Sequence, residues 1–360
     1  VPTAGDRMSW VGLAAVPAGL LTAFTTHVST DVASAPLVWV VPLSLYLLTF
    51  VIVFRERALI PVRLLLVLHL AAVIVALLQL AQTWYDTWYL SSMIGTGAFL
   101  LTALVAHRTL YEARPAAEHL TEFYLWMSAG GALGGLFAAL IAPKIFPEVF
   151  EYPLLLALGM ACRPGAMTLL KGRGEALWVW AIGMAGLALI FFLPIVAGWL
   201  KTDFSGWDSA PVVVAILAAA MVAFWKFPAR QLASALMMCA AIMLLPSNVH
   251  RGGATRSYFG VYRVVRSIDG EYNVLKHGTT LHGAQRMWDQ EGKPVVDFAP
   301  KTYYHPKSPM ATAIAVARSF IPESQRPGRF GVVGLGAGTL ACLSKPGEAW
   351  RWCYLDDQLG

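Results

Sequence analysis

Nine largely apolar stretches between Trp10 and Leu245 leave this chain few ways to fold. They cover residues 10–27, 35–54, 61–81, 88–106, 120–142, 150–162, 176–200, 210–224 and 231–245. About twenty apolar residues in a helix match the hydrocarbon core of a bilayer, and a helix satisfies its own backbone polar groups there. The chain is 57% hydrophobic and 13% charged, with a mean hydropathy of +0.59, which sets it apart from ordinary soluble domains. The expected architecture is a multi-span α-helical membrane domain over residues 1–246, with about nine spans and the lipid bilayer as its partner. Loop charges orient it. With the N-terminus inside, the inner loops carry Arg55, Arg57, Arg63, Arg108, Arg114, Arg163, Lys171, Arg173, Lys226 and Arg230, against Lys144 and Lys201 outside. Positive charge collects on the cytoplasmic side of membrane proteins. Nine crossings then put everything after residue 246 outside the cytoplasm, whereas nucleotide-like cofactors are supplied within it.

Polar residues in so apolar a segment are costly and mark candidate sites. His27, Asp31, His69, Glu122, Glu148 and Glu151 lie in or beside the spans. Asp31, Glu148 and Glu151 border loops and read as headgroup-level groups, while His69 and Glu122 are the better candidates for buried roles. Gly130, Gly131, Gly134 and Gly135 form two overlapping GxxxG pairs, which let helices approach closely. Trp84, Tyr85, Trp88, Tyr89, Trp178, Trp180, Trp199 and Trp225 stand near span ends, where amphipathic rings settle at the interface. Cys162, Cys239, Cys342 and Cys353 show no CxxC or Cys/His spacing, so buried free thiols and no metal are expected. No signal peptide is expected in residues 1–8, which lack a basic segment and a cleavage site.

After Asn248 the pattern changes to alternation, the mark of half-buried strands. Residues 257–266 read as a strand, Asp269-Gly270 as its turn, and 271–276 as the strand that pairs back. A third strand is expected over 279–286, followed by a polar loop at 289–294. Residues 307–319 read as a helix capped by Ser308, with Pro309 in its first turn. This outlines a small antiparallel β-sheet region at 247–306 and the start of a Rossmann-like α/β domain at 307–360, expected to be the first part of a longer one. Lys and Arg outnumber Asp and Glu by 12 to 6 between Arg251 and Arg329. Scattered singly, they make a solvated face, and no nucleic acid is expected as a partner.

The last motif carries the chemistry. Phe330-Gly-Val-Val333 is an apolar run of the kind that forms a buried parallel strand. Gly334, Gly336 and Gly338 then alternate through a turn into Thr339-Leu-Ala-Cys342, which reads as the start of a helix. Glycines let the chain turn sharply and a ligand approach the backbone, and a helix start offers unpaired N–H groups. A second apolar run, 349–355, ends in Asp356-Asp357. That is about twenty residues after the glycines, where a nucleotide-binding fold puts the carboxylate for ribose hydroxyls. Gly334, Gly336, Gly338 and Asp356 are thus the candidate cofactor-binding residues, for an adenosine-type ligand.

Three segments precede this motif: Arg256-Ser-Tyr-Phe-Gly-Val-Tyr-Arg263, His277-Gly-Thr-Thr-Leu-His-Gly-Ala-Gln285 and Thr302-Tyr-Tyr-His305. With residues 29–43 of the membrane half, they make nearly the whole chain resemble the polyamine aminopropyltransferases, more narrowly the bacterial membrane-fused spermidine synthase-like proteins. The resemblance implies a multi-pass protein of the bacterial plasma membrane with a transporter-like half. It also implies aminopropyl transfer to a small-molecule diamine, with S-adenosylmethionine or its decarboxylated form as co-substrate and no metal. Gln285, Tyr303 and Tyr304, with His282 beside them, match the family's substrate side, and its catalytic aspartate is expected beyond Gly360. Two positions depart from the family pattern. Ala337 stands where the family has Asp in the glycine turn, and His282 where it reads Leu-Asp-Gly. Both changes remove negative charge from a site meant for cations. His277, His282 and His305 otherwise read as turn or sheet-edge histidines, and Tyr303-Tyr304 as one surface and one core residue. An S-adenosylmethionine-dependent methyltransferase fits the same glycine turn and acid. A membrane transporter or assembly component whose tail has lost catalysis and serves for docking, with membrane protein partners, fits the lost carboxylates and the external tail.

Overall fold

A computed structural model of the chain describes residues 1–32, 37, 39–55, 59–81, 88–166, 173–199, 209–245, 254–258, 260–267, 269–278, 280–297, 299–334 and 336–353. Arg57, Trp84, Tyr85, Lys171, Lys201, Thr279, Asp356 and Asp357, all singled out above, lie outside the described residues. The chain forms two units, Val1–Val249 and His250–Gly360.

The first unit is helical. It contains α1 (Ala4–His27), α2 (Val40–Val53), α3 (Val62–Ala81), α4 (Trp88–Glu112), α5 (Leu120–Leu136), α6 (Ala142–Ile145), α7 (Glu151–Gly159), α8 (Arg173–Trp199), α9 (Ser209–Ala223) and α10 (Pro228–Leu244). Each apolar stretch read from the sequence overlaps one of these helices. Among the described residues, five helical segments are long and apolar enough to cross a membrane: Ala4–Thr30, Val62–Ala81, Tyr89–Glu112, Ala117–Ile145 and Gly174–Val196. Val40–Val53, Glu151–Cys162, Ser209–Ala223 and Pro228–Leu244 are equally apolar but only 10–17 residues long, shorter than a bilayer core at about 1.5 Å per residue. Outward faces are apolar too: α3 exposes Leu64, Val67 and Val75, and α8 exposes Leu177, Trp180 and Phe192.

Local chemistry sets where α1 begins and what it packs on. Thr3 Oγ1 accepts the Asp6 N–H at 3.2 Å, and Asp6 Oδ2 accepts the Thr3 N–H at 2.8 Å, closing a reciprocal cap. Gly130 and Gly134 bring α5 against α1 so closely that a β-carbon at either position would overlap the backbone of Val11 or Ala15. Gly131 and Gly135 have open space or only a distant neighbour, so one of the two GxxxG pairs does the packing. Beside this seam Trp10 meets Phe123 edge to face at 5.2 Å and donates its indole N–H to Ala113 O at 3.0 Å. Burying such rings out of water stabilises by about 1.5–3 kcal/mol each. Among lipid tails that gain fades, and close packing and hydrogen bonds take over.

The buried polar groups are not all the ones expected. His69 is fully buried and lies 3.2 Å from Thr102 Oγ1, whose own hydrogen goes to Ala98 O at 2.7 Å. His69 is therefore the donor in that pair. His107, fully buried on α4, makes the matching arrangement with Thr49 on α2 at 2.7 Å. Glu122 does not have the expected buried role: it is half-exposed and accepts from Arg7 Nε at 2.5 Å. Arg7, in the first turn of α1, can reach it because the Gly130–Gly134 seam sets the two helices side by side. Glu148 and Glu151, expected at headgroup level, are 6% and 0% exposed. The short α7 is enclosed by its neighbours, with Tyr152, Leu155, Leu156 and Met160 all buried.

The second unit holds two small sheets. β1 (Ala254–Ser257), β2 (Gly260–Arg266), β3 (Tyr272–His277) and β4 (Thr280–Arg286) form an antiparallel meander in chain order. The sequence predicts one strand over 257–266; the fold divides it, with Ser257 paired to Gly260 across a tight connection. Gly260 takes φ +143, and a side chain there would collide with His277. The expected Asp269-Gly270 turn forms, with Gly270 at φ +75 and Asp269 accepting the Glu271 N–H at 3.1 Å. The helix α11 (Pro309–Ser319) starts as expected, with Ser308 Oγ accepting the Ala311 N–H at 3.2 Å. β5 (Arg329–Val333) and β6 (Ala349–Cys353) pair in parallel. The helix expected between them is a five-residue 3-10 segment, Thr339–Leu343. Lys345-Pro346-Gly347 follows almost at once and leaves no room for a longer helix. Arg318 ties α11 to this crossover, donating to Glu348 Oε1 at 2.6 Å and to Leu343 O at 2.5 Å.

Candidate functional site

The three glycines of the turn all take positive φ, at +90 for Gly334, +55 for Gly336 and +69 for Gly338. Side chains are strained in that region, so the alternation meets a real backbone requirement. Their amides do not share one task. Gly334 N–H donates to Cys353 O at 2.7 Å and closes the strand pair. Gly336 is backed by Tyr304, whose hydroxyl would lie 2.5 Å from a β-carbon added there. Gly338 lines a cavity.

That cavity has a volume of about 430 Å³ and lies between the antiparallel sheet and the glycine turn. Asn273 of β3 and Gln285 of β4 supply amides, and Gly338, Thr339 and Cys342 form the opposite wall. The volume falls within the usual range for small-ligand sites. The register explains why Asn273 and Gln285 act together: they are direct cross-strand partners. Gly283 is bare because Ala337 packs against it, leaving no space for a β-carbon. Asp297 completes the lining with a carboxylate, set between the Ala299 N–H at 2.8 Å and Lys301 Nζ at 3.1 Å. The Ala299 N–H and then Lys301 hold this carboxyl below the usual aspartate range, so it is ionised at neutral pH.

The aromatic and imidazole candidates form a neighbouring group. Leu275 pairs with Gly283 and Lys276 with Leu281, so His282 is the extra residue of a β-bulge. Bulges re-aim side chains, and this one brings His282 Nδ1 to 3.0 Å from Tyr303 Oη. Burial, and then the charge of His277, lowers the affinity of His282 for a proton. Burial and the adjoining Tyr304 raise the Tyr303 phenol above its ordinary range. Tyr303 is exposed and Tyr304 buried, matching the expected division into surface and core. Both follow Thr302, a β-branched residue at φ +59, a conformation that surrounding structure must enforce. His305 is a turn residue, with Nδ1 accepting the Lys307 N–H at 3.2 Å.

Of the expected site residues, the fold brings Gly338 and Gln285 to one cavity. Gly336, Tyr304, Tyr303 and His282 form the adjoining chain of contacts, and Asp356 lies outside the described residues. Sequence reasoning missed Asn273, Asp297 and Thr339. Asn273 could have been found from its pairing opposite Gln285, whereas Asp297 sits in a loop without a motif. Cys342 and Cys353, expected to be buried thiols, are exposed. Comparison with protein-family models, with curated proteins and with solved structures finds no match to this chain.

Proposed function

We propose that the chain is a multi-pass protein of a bacterial plasma membrane whose second unit binds an S-adenosylmethionine-type ligand, as an aminopropyltransferase-like transferase. The observation that carries this reading is the single cavity shared by Gln285 and Gly338. One comes from the sheet and the other from the glycine turn, 53 positions later in the chain by the difference of their numbers. In this reading the β5–β6 pair and its glycine turn are the first part of a Rossmann-like domain, and the five long apolar helices are the anchor. Bound decarboxylated S-adenosylmethionine supplies a sulfonium-activated carbon. An acceptor amine attacks it, the C–N bond forms as the C–S bond breaks, and a proton leaves the amine.

A titration of the purified full chain in lipid nanodiscs tests the proposal. The native chain is expected to bind S-adenosylmethionine or its decarboxylated form. Gly338→Val, which forces a branched side chain into φ +69, should lower affinity at least about tenfold. A native chain that binds neither compound sinks the reading. A second reading, methyl transfer, is suited by Ala337 in the cavity lining, where the resemblance expects a carboxylate. Products separate the two: methylthioadenosine from aminopropyl transfer, S-adenosylhomocysteine from methyl transfer.

A further inference from the structure

Asp297 supplies the one carboxylate among the described residues that line the cavity. Around it the walls are neutral: the amides of Asn273 and Gln285, the Thr339 hydroxyl, and apolar surface from Val264, Leu275 and Ala337. The position where the resemblance expects another acid is Ala337, and its methyl group is wedged against Gly283. An ammonium group moved from water into a partly closed site needs an opposing charge. The described lining offers one.

That one charge is held ready. The Ala299 N–H fixes Oδ1 at 2.8 Å, while Lys301 Nζ stands 3.1 Å from Oδ2. Asp297 and Lys301 are four residues apart and 24% and 31% exposed in their side chains. Such half-solvated pairs are weak, and the lysine can return to water at little cost. A ligand ammonium already fixed by an adenosyl group binds the same oxygen without that loss of freedom.

Resting on the reading that the cavity takes an adenosyl ligand, we propose that Asp297 is its ammonium-binding carboxylate, occupied by Lys301 until an adenosyl thioether or sulfonium with an ammonium group displaces it.

Calorimetric titration of the full chain in nanodiscs tests this with two probes: 5′-methylthioadenosine and 5′-(3-aminopropyl)thioadenosine. The two thioethers share the adenosine and thioether parts, and the longer one carries the ammonium. The aminopropyl thioether should bind the native chain at least about tenfold more tightly than methylthioadenosine. Asp297→Asn should erase that preference and leave methylthioadenosine binding unchanged. Lys301→Met should tighten the aminopropyl thioether about threefold, as expected for removal of a weak competing pair. A preference that survives in Asp297→Asn overturns the inference and leaves the adenosyl reading standing. Failure of methylthioadenosine to bind the native chain overturns that reading itself. If Asp297→Asn loses both thioethers, Lys301→Met decides: unchanged affinity for the aminopropyl thioether overturns the inference.

Discussion

Single residues in the second unit do separable work. Gly336 must be glycine twice over, for its φ of +55 and for the Tyr304 hydroxyl beside it. Gly336→Ala should destabilise the unit by about 1–3 kcal/mol and weaken ligand binding. Gly331→Ala, with open space around it, should do neither; urea unfolding of both variants checks this. Glu348 carries a pH dependence. Hydrogen bonding to Arg318 lowers its carboxyl from 4.5 to about 2. The folded-state value is depressed, so the stabilisation is complete above about pH 4.5 and is lost as the pH falls toward 2. Glu348→Gln should cost about 2 kcal/mol at neutral pH and flatten the acid limb of limited-proteolysis resistance over that window. Turn chemistry at this scale was legible: Ser308 as a cap, Gly270 in its hairpin and the three positive-φ glycines. Burial was not. The exposure of Glu122 and the enclosure of Glu151 depend on which helix lies opposite, and the local pattern does not encode that.

At the scale of elements, the seam between α1 and α5 is the sharpest case of sequence specifying contact. Gly134→Leu would drive a side chain into the Ala15 backbone, and the two helices must separate. We expect a loss of about 3 kcal/mol or more in detergent stability, because a backbone overlap cannot be relieved by a rotamer change. Gly135→Leu, one position on and unobstructed, should be silent; thermal denaturation of the two variants reads the contrast directly. The crossover between β5 and β6 shows the opposite situation. Glycine, threonine and an apolar run announce a helix start, but Lys345-Pro346-Gly347 ends it within five residues. Competing local signals were both in the sequence, and the breaker won.

At the scale of the whole molecule, the side on which the second unit lies decides its chemistry. Among the described residues, five helices have the length to cross a bilayer and four shorter apolar ones fall short. With the N-terminus inside, a cytoplasmic second unit needs an even number of crossings. The five long helices must then be joined by an odd number of the short ones. A topology reporter fused after Pro246 should read cytoplasmic if the unit draws on S-adenosylmethionine, and an external signal would favour the docking alternative. Apolar run length and periodicity by themselves determined two things: a helical first half, and a second half of strands ending in a glycine turn. Both are local properties, written in neighbouring residues. Tertiary structure alone decided that Asp297 lines the cavity with Gln285 and Gly338, and that α7 is enclosed. Each of these depends on residues distant in sequence meeting in space, which no local spacing records.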